Sequence, residues 1–146
     1  MPGAVCCDTS FLFSLYGRDV HSPRAAAEVL RLGRPIALTA PGEYELLNAI
    51  RLALFRGLLP EPAGISMIAS IEADLAIGRL VLESGNLAQI FTEAKRLSAL
   101  HTARGGHRAL DVLLVAAAVQ IKAEIFLTFD ANQRVLAEEA GLKVRP

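Results

Sequence analysis

The sequence predicts an α/β fold, a parallel sheet with helices on both faces. Two observations carry that expectation. Short apolar runs at 3–7, 34–38 and 124–129 lack the polar alternation of a half-exposed strand, so they read as strands buried on both sides. Longer stretches with apolar residues at helical spacing lie between them, and strands alternating with helices imply parallel crossovers. No repeat, linker or low-complexity segment divides the 146 residues, so one domain covering 1–146 is expected.

The elements follow in order. Residues 3–7 form a short strand that stops at Asp8, and a helix covers about 10–16. "GRDVHSP" is a loop. A helix over 23–32 starts with Pro23, where a missing N–H costs little. "RPIAL" is a second strand, and Thr39 caps a helix to about Arg56 whose Leu46, Leu47, Ile50 and Leu54 fit one face. "GLLPEPAG" breaks the chain before a helix over 65–77. "RLVLES" reads as a short strand, and Asn86 opens a helix to about Leu100. "HTARGGH" is read as a loop, and 108–121 as a strongly apolar helix. "EIFLTF" is a buried strand, 130–140 a helix, and "LKV" a last strand.

Composition narrows the function classes. Hydrophobic residues make up 53% of the chain and mean hydropathy is +0.40, yet no apolar run reaches the ~18 residues that span a bilayer. The excess is read as a filled core plus an apolar face for a partner, with no membrane role. "MPGAVCCDTS" has neither a basic start nor a long apolar stretch, so a secretory signal is not expected there. Cys6 and Cys7 are neighbours that point to opposite faces of a strand, so they are not expected to pair. These features together imply a cytoplasmic protein. Fifteen basic residues balance fifteen acidic ones, which argues against a strongly cationic nucleic-acid binder. A nuclease stays open, because clustered acids can offset basic residues elsewhere.

The chemistry-bearing candidates are acids at predicted strand ends. Asp8 ends the first strand and Asp130 follows the last long one. Ligands of parallel sheets gather at the carboxyl ends of strands. Helices that follow strands begin at the same edge, so Glu45 and Asp111, early in their helices, can reach it too. Each residue alone has a plainer reading: Asp8 and Asp130 as helix caps, Glu45 as a solvated residue, Asp111 as a partner of the helix dipole. As a set they would repel one another unless a cation joined them. Hard oxygen ligands suit Mg²⁺, which is held by one or two carboxylates with substrate phosphate, and that chemistry is phosphodiester hydrolysis. Glu43 lies two residues from Glu45, which turns its side chain by about 200° on a helix, so only one of them faces the cleft well. Glu45 is the expected one.

Three segments resemble PIN-domain proteins of the VapC toxin type. They are "CCDTSFLFSL", "YELLNAI" and "RALDVLLVAAAVQIKAEIFLTFDANQRVLAEEAGLKV". The third matches the family's C-terminal half almost continuously, whereas only helical pattern remains between about 58 and 100. The resemblance implies a PIN-like three-layer sandwich. It places catalytic acids at Asp8, Glu45, Asp111 and Asp130, with Asp8, Asp111 and Asp130 binding metal. Thr128 and Thr9 would orient the site behind those acids. It also implies a Mg²⁺- or Mn²⁺-dependent endoribonuclease, the toxin of a type II toxin–antitoxin pair. The partners would be an RNA substrate, a cognate antitoxin and a second copy in a homodimer.

Arg104 and Arg108, in the loop before the Asp111 helix, are candidate RNA contacts, and a solvated basic loop is the plainer reading. Phe11, Phe13 and Tyr16 fit helix packing better than base stacking. The apolar surface of the 23–32 helix and of 41–56 would form the dimer or accept an antitoxin segment. Two other classes fit parts of the sequence. A non-catalytic PIN-like module would bind RNA or protein without cutting. A receiver-like domain, phosphorylated on Asp, would want a late Lys that neither Lys122 nor Lys143 supplies in pattern.

Overall fold

The computed structural model describes residues 2–146. The elements are β1 (Ala4–Cys7), α1 (Thr9–Tyr16), α2 (Ser22–Leu32), β2 (Ile36–Leu38), α3 (Ala40–Phe55), α4 (Glu61–Ile77), β3 (Leu80–Leu82), α5 (Leu87–Leu97), a π-turn (Ser98–Thr102), a short α6 (Ala103–Gly105), α7 (Ala109–Gln120), β4 (Ala123–Leu127), α8 (Ala131–Glu139) and β5 (Lys143–Arg145). The strands form one sheet in the order β3-β2-β1-β4-β5. Every pairing in it is parallel. The α/β expectation is met, with helices on both faces.

Side-chain alternation along the strands builds the two faces. Val5, Ile36, Leu38, Ile125 and Leu127 point into one apolar layer with Phe11 and Leu12 of α1, Leu46 and Ile50 of α3, and Met67 and Ile71 of α4. Cys6, Ala37 and Phe126 point the other way, into Ile90 and Leu97 of α5, Val115 to Ala118 of α7, and Leu136 of α8. Both layers are nearly dry, which explains why the strands read as apolar runs without alternation.

Local chemistry sets most boundaries. Asp8 caps α1, its side chain accepting from the Phe11 N–H. Thr39 caps α3, Asn86 caps α5 and Asp130 caps α8 in the same way. Two expectations are corrected. The break at "GLLPEPAG" is shorter than expected, because α4 starts at Glu61 rather than near residue 65. Pro62 sits in the first turn, where its absent N–H is no loss. Gly64 belongs to that helix, and a Cβ there would lie 2.8 Å from Leu54 Cδ2, so its bareness lets α4 lie close on α3. The predicted loop at "HTARGGH" is the other correction. The chain stays helical through the π-turn and α6 until Gly106, whose φ of 66° ends it.

The strand order fixes where a site can form. From β1 the chain moves outward through β2 and β3, then returns to place β4 on the other side of β1. The carboxyl ends of β1 and β4 are therefore the topological switch point, where open α/β sheets leave a crevice. Among the described residues, no helix is long and apolar enough to cross a membrane.

Candidate active site

Asp8 leaves β1 and Thr128 leaves β4 at that switch point. The strands align Cys7 with Leu127, and the Asp8 N–H donates to Leu127 O at 3.0 Å. Thr128, fully buried, donates its hydroxyl to Asp8 Oδ2 at 2.5 Å. The same hydroxyl accepts from the Asp130 N–H at 3.0 Å. Thr128 thus ties the carboxylate ending one strand to the backbone of the acid following the other. Asp8 Oδ1 accepts from the Phe11 N–H at 2.8 Å and from Ser10 Oγ at 3.0 Å. Burial is the largest influence on Asp8 and raises its pKa. The three hydrogen bonds oppose that rise, and the nearby Asp130 charge adds to it.

Asp8, Glu45, Asp111 and Asp130 line one cleft of about 440 Å³. Glu45 comes from α3, and Glu43 is not among the lining residues. Asp111, half-buried near the start of α7, accepts from Arg108 Nε at 3.0 Å. Arg108, at the N-cap of α7, also lines the cleft. Its guanidinium is held charged first by the bond to Asp111, with Asp130 and Glu45 contributing. It is the counter-charge of the acid set. Asp130 uses Oδ1 to cap α8 by accepting from the Gln133 N–H at 2.9 Å.

The other expected residues fall differently. Thr9 borders the cleft, and its hydroxyl is buried without a hydrogen-bond partner. Arg104 lines a separate hollow of about 220 Å³ with His101, His107 and Glu139, not the acid cleft. His107 is buried and donates from Nδ1 to Asn132 Oδ1 at 2.6 Å, so it is part of the scaffold. Gln133, Asp19 and His21 also line the cleft. Gln133, buried, donates to the Asp111 carbonyl at 3.0 Å and leaves Oε1 unpartnered. Asp19 and His21 come from the α1–α2 loop. Asp19 spends its carboxylate on Ser14 Oγ and the His21 N–H, both at 2.8 Å, so it braces the loop. No sequence signal marks these residues, because each reaches the cleft through tertiary packing.

The donor set can be tested against a hard cation. Five carboxylates face one guanidinium and one imidazole in the cleft. The excess of negative charge, and the orphaned hydroxyl and amide oxygens of Thr9 and Gln133, fit a hydrated divalent ion. Among the described residues, no three acidic, His or Cys groups stand close enough to form a preassembled cage. That spacing suits an ion that keeps its waters and takes one or two carboxylates, as Mg²⁺ does. Cysteine chemistry is disfavoured. Burial pushes the Cys6 thiol up to about 12, with Glu83 adding, and burial also raises the Cys7 thiol well above its ordinary value.

Fold and cleft together define an α/β domain with an acid-lined site at its switch point. The PIN domain family matches residues 5–139, and the chain belongs to that family. Comparison with curated proteins gives no significant match. Similar solved structures include VapBC2 from Rickettsia felis bound to a DNA fragment from their promoter, at 14% identity, 97% of each chain covered and a TM-score of 0.65. VapC20 from Mycobacterium tuberculosis, a sarcin–ricin loop cleaving toxin, is 15% identical over 90% of this chain and 94% of its own, with a TM-score of 0.67. FitAcB from Neisseria gonorrhoeae is 18% identical over 97% of this chain and 96% of its own, with a TM-score of 0.61. At these identities the likeness is one of fold.

Proposed function

We propose that this protein is a metal-dependent endoribonuclease and the toxin of a type II toxin–antitoxin pair. The observation that carries the reading is the cleft itself. Acids from β1, α3, α7 and the end of β4 line one hollow at the switch point, and Thr128 locks two of the segments together. Family membership and the fold shared with VapC20, a sarcin–ricin loop cleaving toxin, support this reading.

Asp8, Asp111 and Asp130 would hold a hydrated Mg²⁺ or Mn²⁺, not all three touching it directly, and Glu45 would complete the acid set from α3. The ion, when bound, supplies an acidified water and neutralises charge on the phosphate. The chain supplies the rest. Thr128, Ser10 and the Phe11 N–H fix the Asp8 carboxylate, and Gln133 fixes the start of α8 against α7. Arg108 balances the acids, and it would pass to a substrate phosphate when RNA enters.

Partner surfaces fit the pair. A groove of about 600 Å³ lies between α2 and α4, and Leu30 and Ile77 on its rim are 84% and 65% exposed. Tyr44 and Phe55 of α3 and Leu58 just after it are exposed as well. An antitoxin segment and a second copy of the chain would cover these areas.

One observation favours the other reading, a non-catalytic binding module. Arg108 already pairs with Asp111, at 3.0 Å. One experiment separates the two. Purified protein is incubated with structured RNA in Mg²⁺ or Mn²⁺, then with chelator, beside Asp8→Asn and Asp111→Asn. The nuclease reading predicts cleavage that needs metal and both acids. RNA binding without cleavage, under every metal condition, selects the binding module.

A further inference from the structure

Phe11, Phe129 and His21 lie in a near-parallel array that runs from the core to the lip of the acid cleft. Phe11 is fully buried. The Phe129 ring lies 5.3 Å from it at 19°, and the His21 imidazole lies 4.5 Å from Phe129 at 12°. Phe129 is half-buried and His21 is exposed. His21 lines both the cleft and an adjoining hollow of about 220 Å³, whose other walls are Ser10, Ser14, Phe129 and Asp130.

The array is registered against the acids through the backbone. The Phe11 N–H bonds Asp8, and Phe129 immediately precedes Asp130. The loop that carries His21 is pinned to α1, because Ser22 Oγ donates to Ser14 O at 2.6 Å and Asp19 accepts from Ser14 Oγ. His21 occupies the N-cap of α2, a position that favours Ser, Thr, Asp or Asn, yet its side chain makes no capping bond. It lies flat on Phe129 instead. The Arg24 guanidinium carbon sits 5.9 Å from the Phe129 centroid and places positive charge beside the array.

An exposed ring, held flat at a fixed distance from a reactive centre, is what a stacking base requires. The neighbouring carboxylates repel a phosphate backbone, so affinity must come from groups at the lip. We propose that His21, backed by Phe129, is a stacking platform for a nucleobase of single-stranded RNA. It positions the nucleotide next to the phosphodiester that enters the cleft. The inference rests on the nuclease reading and adds to it a single-stranded substrate read by base stacking.

The chain has no tryptophan, so His21→Trp introduces a single tryptophan at the platform, excited apart from the two tyrosines. Binding of a short single-stranded RNA is measured with Ca²⁺ for the wild type, His21→Ala, His21→Phe, His21→Lys and His21→Trp, with a thermal melt of each as a fold control. Loss of one stacked base predicts weakening of about 5- to 100-fold in His21→Ala. His21→Phe should retain wild-type affinity, and RNA should quench the emission of His21→Trp. Unchanged affinity in His21→Ala overturns the platform. So does rescue by His21→Lys but not by His21→Phe, which would make the contact a phosphate contact. If the wild type cleaves RNA with metal while the variants match it, the platform fails and the nuclease reading stands. A wild type that neither binds nor cleaves RNA removes both.

Discussion

A buried carboxylate is costly unless donors reach its oxygens, and at Asp8 they reach both. Thr128→Val keeps the shape and removes one donor. We expect it to cost about 1.5–3 kcal/mol in urea unfolding, the range for a hydrogen bond to a charged group, while Thr128→Ser stays near wild type. Asp19 carries a pH signature. Burial alone would raise its pKa, but bonds from Ser14, the His21 N–H and Ser22 outweigh burial and hold it below its ordinary value of 3.8. Because the folded pKa is the lower one, the stabilisation is full above the ordinary value. It is lost as pH falls through the folded value. Stability measured along the acid limb should therefore fall less steeply in Asp19→Asn than in the wild type. At this scale the sequence showed the acids but not their partners. Asp8 and Asp130 announced themselves by ending apolar runs. The pairing of Arg108 with Asp111 and the stacking of His21 on Phe129 depend on side-chain placement, for which neither spacing nor hydropathy gives a signal.

Among the elements, residues 101–105 depart furthest from the sequence reading. Two glycines and two histidines suggested a loop, yet the segment forms a π-turn and a helical turn clamped onto α8. His101 Nδ1 pairs with Glu139 at 2.7 Å, and Asn132 Nδ2 donates to Gly105 O at 2.8 Å. These bonds cross 25 or more residues and cannot be read from a local window. Gly105 is the tight point, where a Cβ would lie 2.3 Å from His107 Nε2. His107 is buried and bonded to Asn132, so it cannot easily step aside. Gly105→Ala should cost about 1–3 kcal/mol by overpacking, read as a lower midpoint in urea. The strands, by contrast, were legible because each is buried on both faces, and the caps because Asp8, Thr39, Asn86 and Asp130 are all good N-cap residues. In the same way, Phe126→Ala should cost about 3–5 kcal/mol, since Phe126 fills the layer between β4 and α7 with no exposed surface.

For the whole molecule, a net charge of zero hides an uneven distribution, with five of the fifteen acidic residues gathered at one switch point. The sequence could place those acids at one sheet edge because parallel topology sends strand ends and helix starts there together. It could not give the strand order that makes β1 and β4 neighbours. The apolar excess is divided between two dry layers and an exposed groove beside α2. If an antitoxin segment covers the groove, Leu30→Glu should weaken that association while leaving the melting temperature of the isolated chain unchanged, because Leu30 is 84% exposed. The central claim is that the acids of the switch-point cleft hold a divalent cation. Its most direct test is titration of Mn²⁺ into the wild type, Asp8→Asn, Asp111→Asn and Glu43→Gln, the last lying outside the cleft lining. The account predicts binding in the wild type and Glu43→Gln, and its loss in both Asp variants. Equal binding in all four, or none in the wild type, would contradict it.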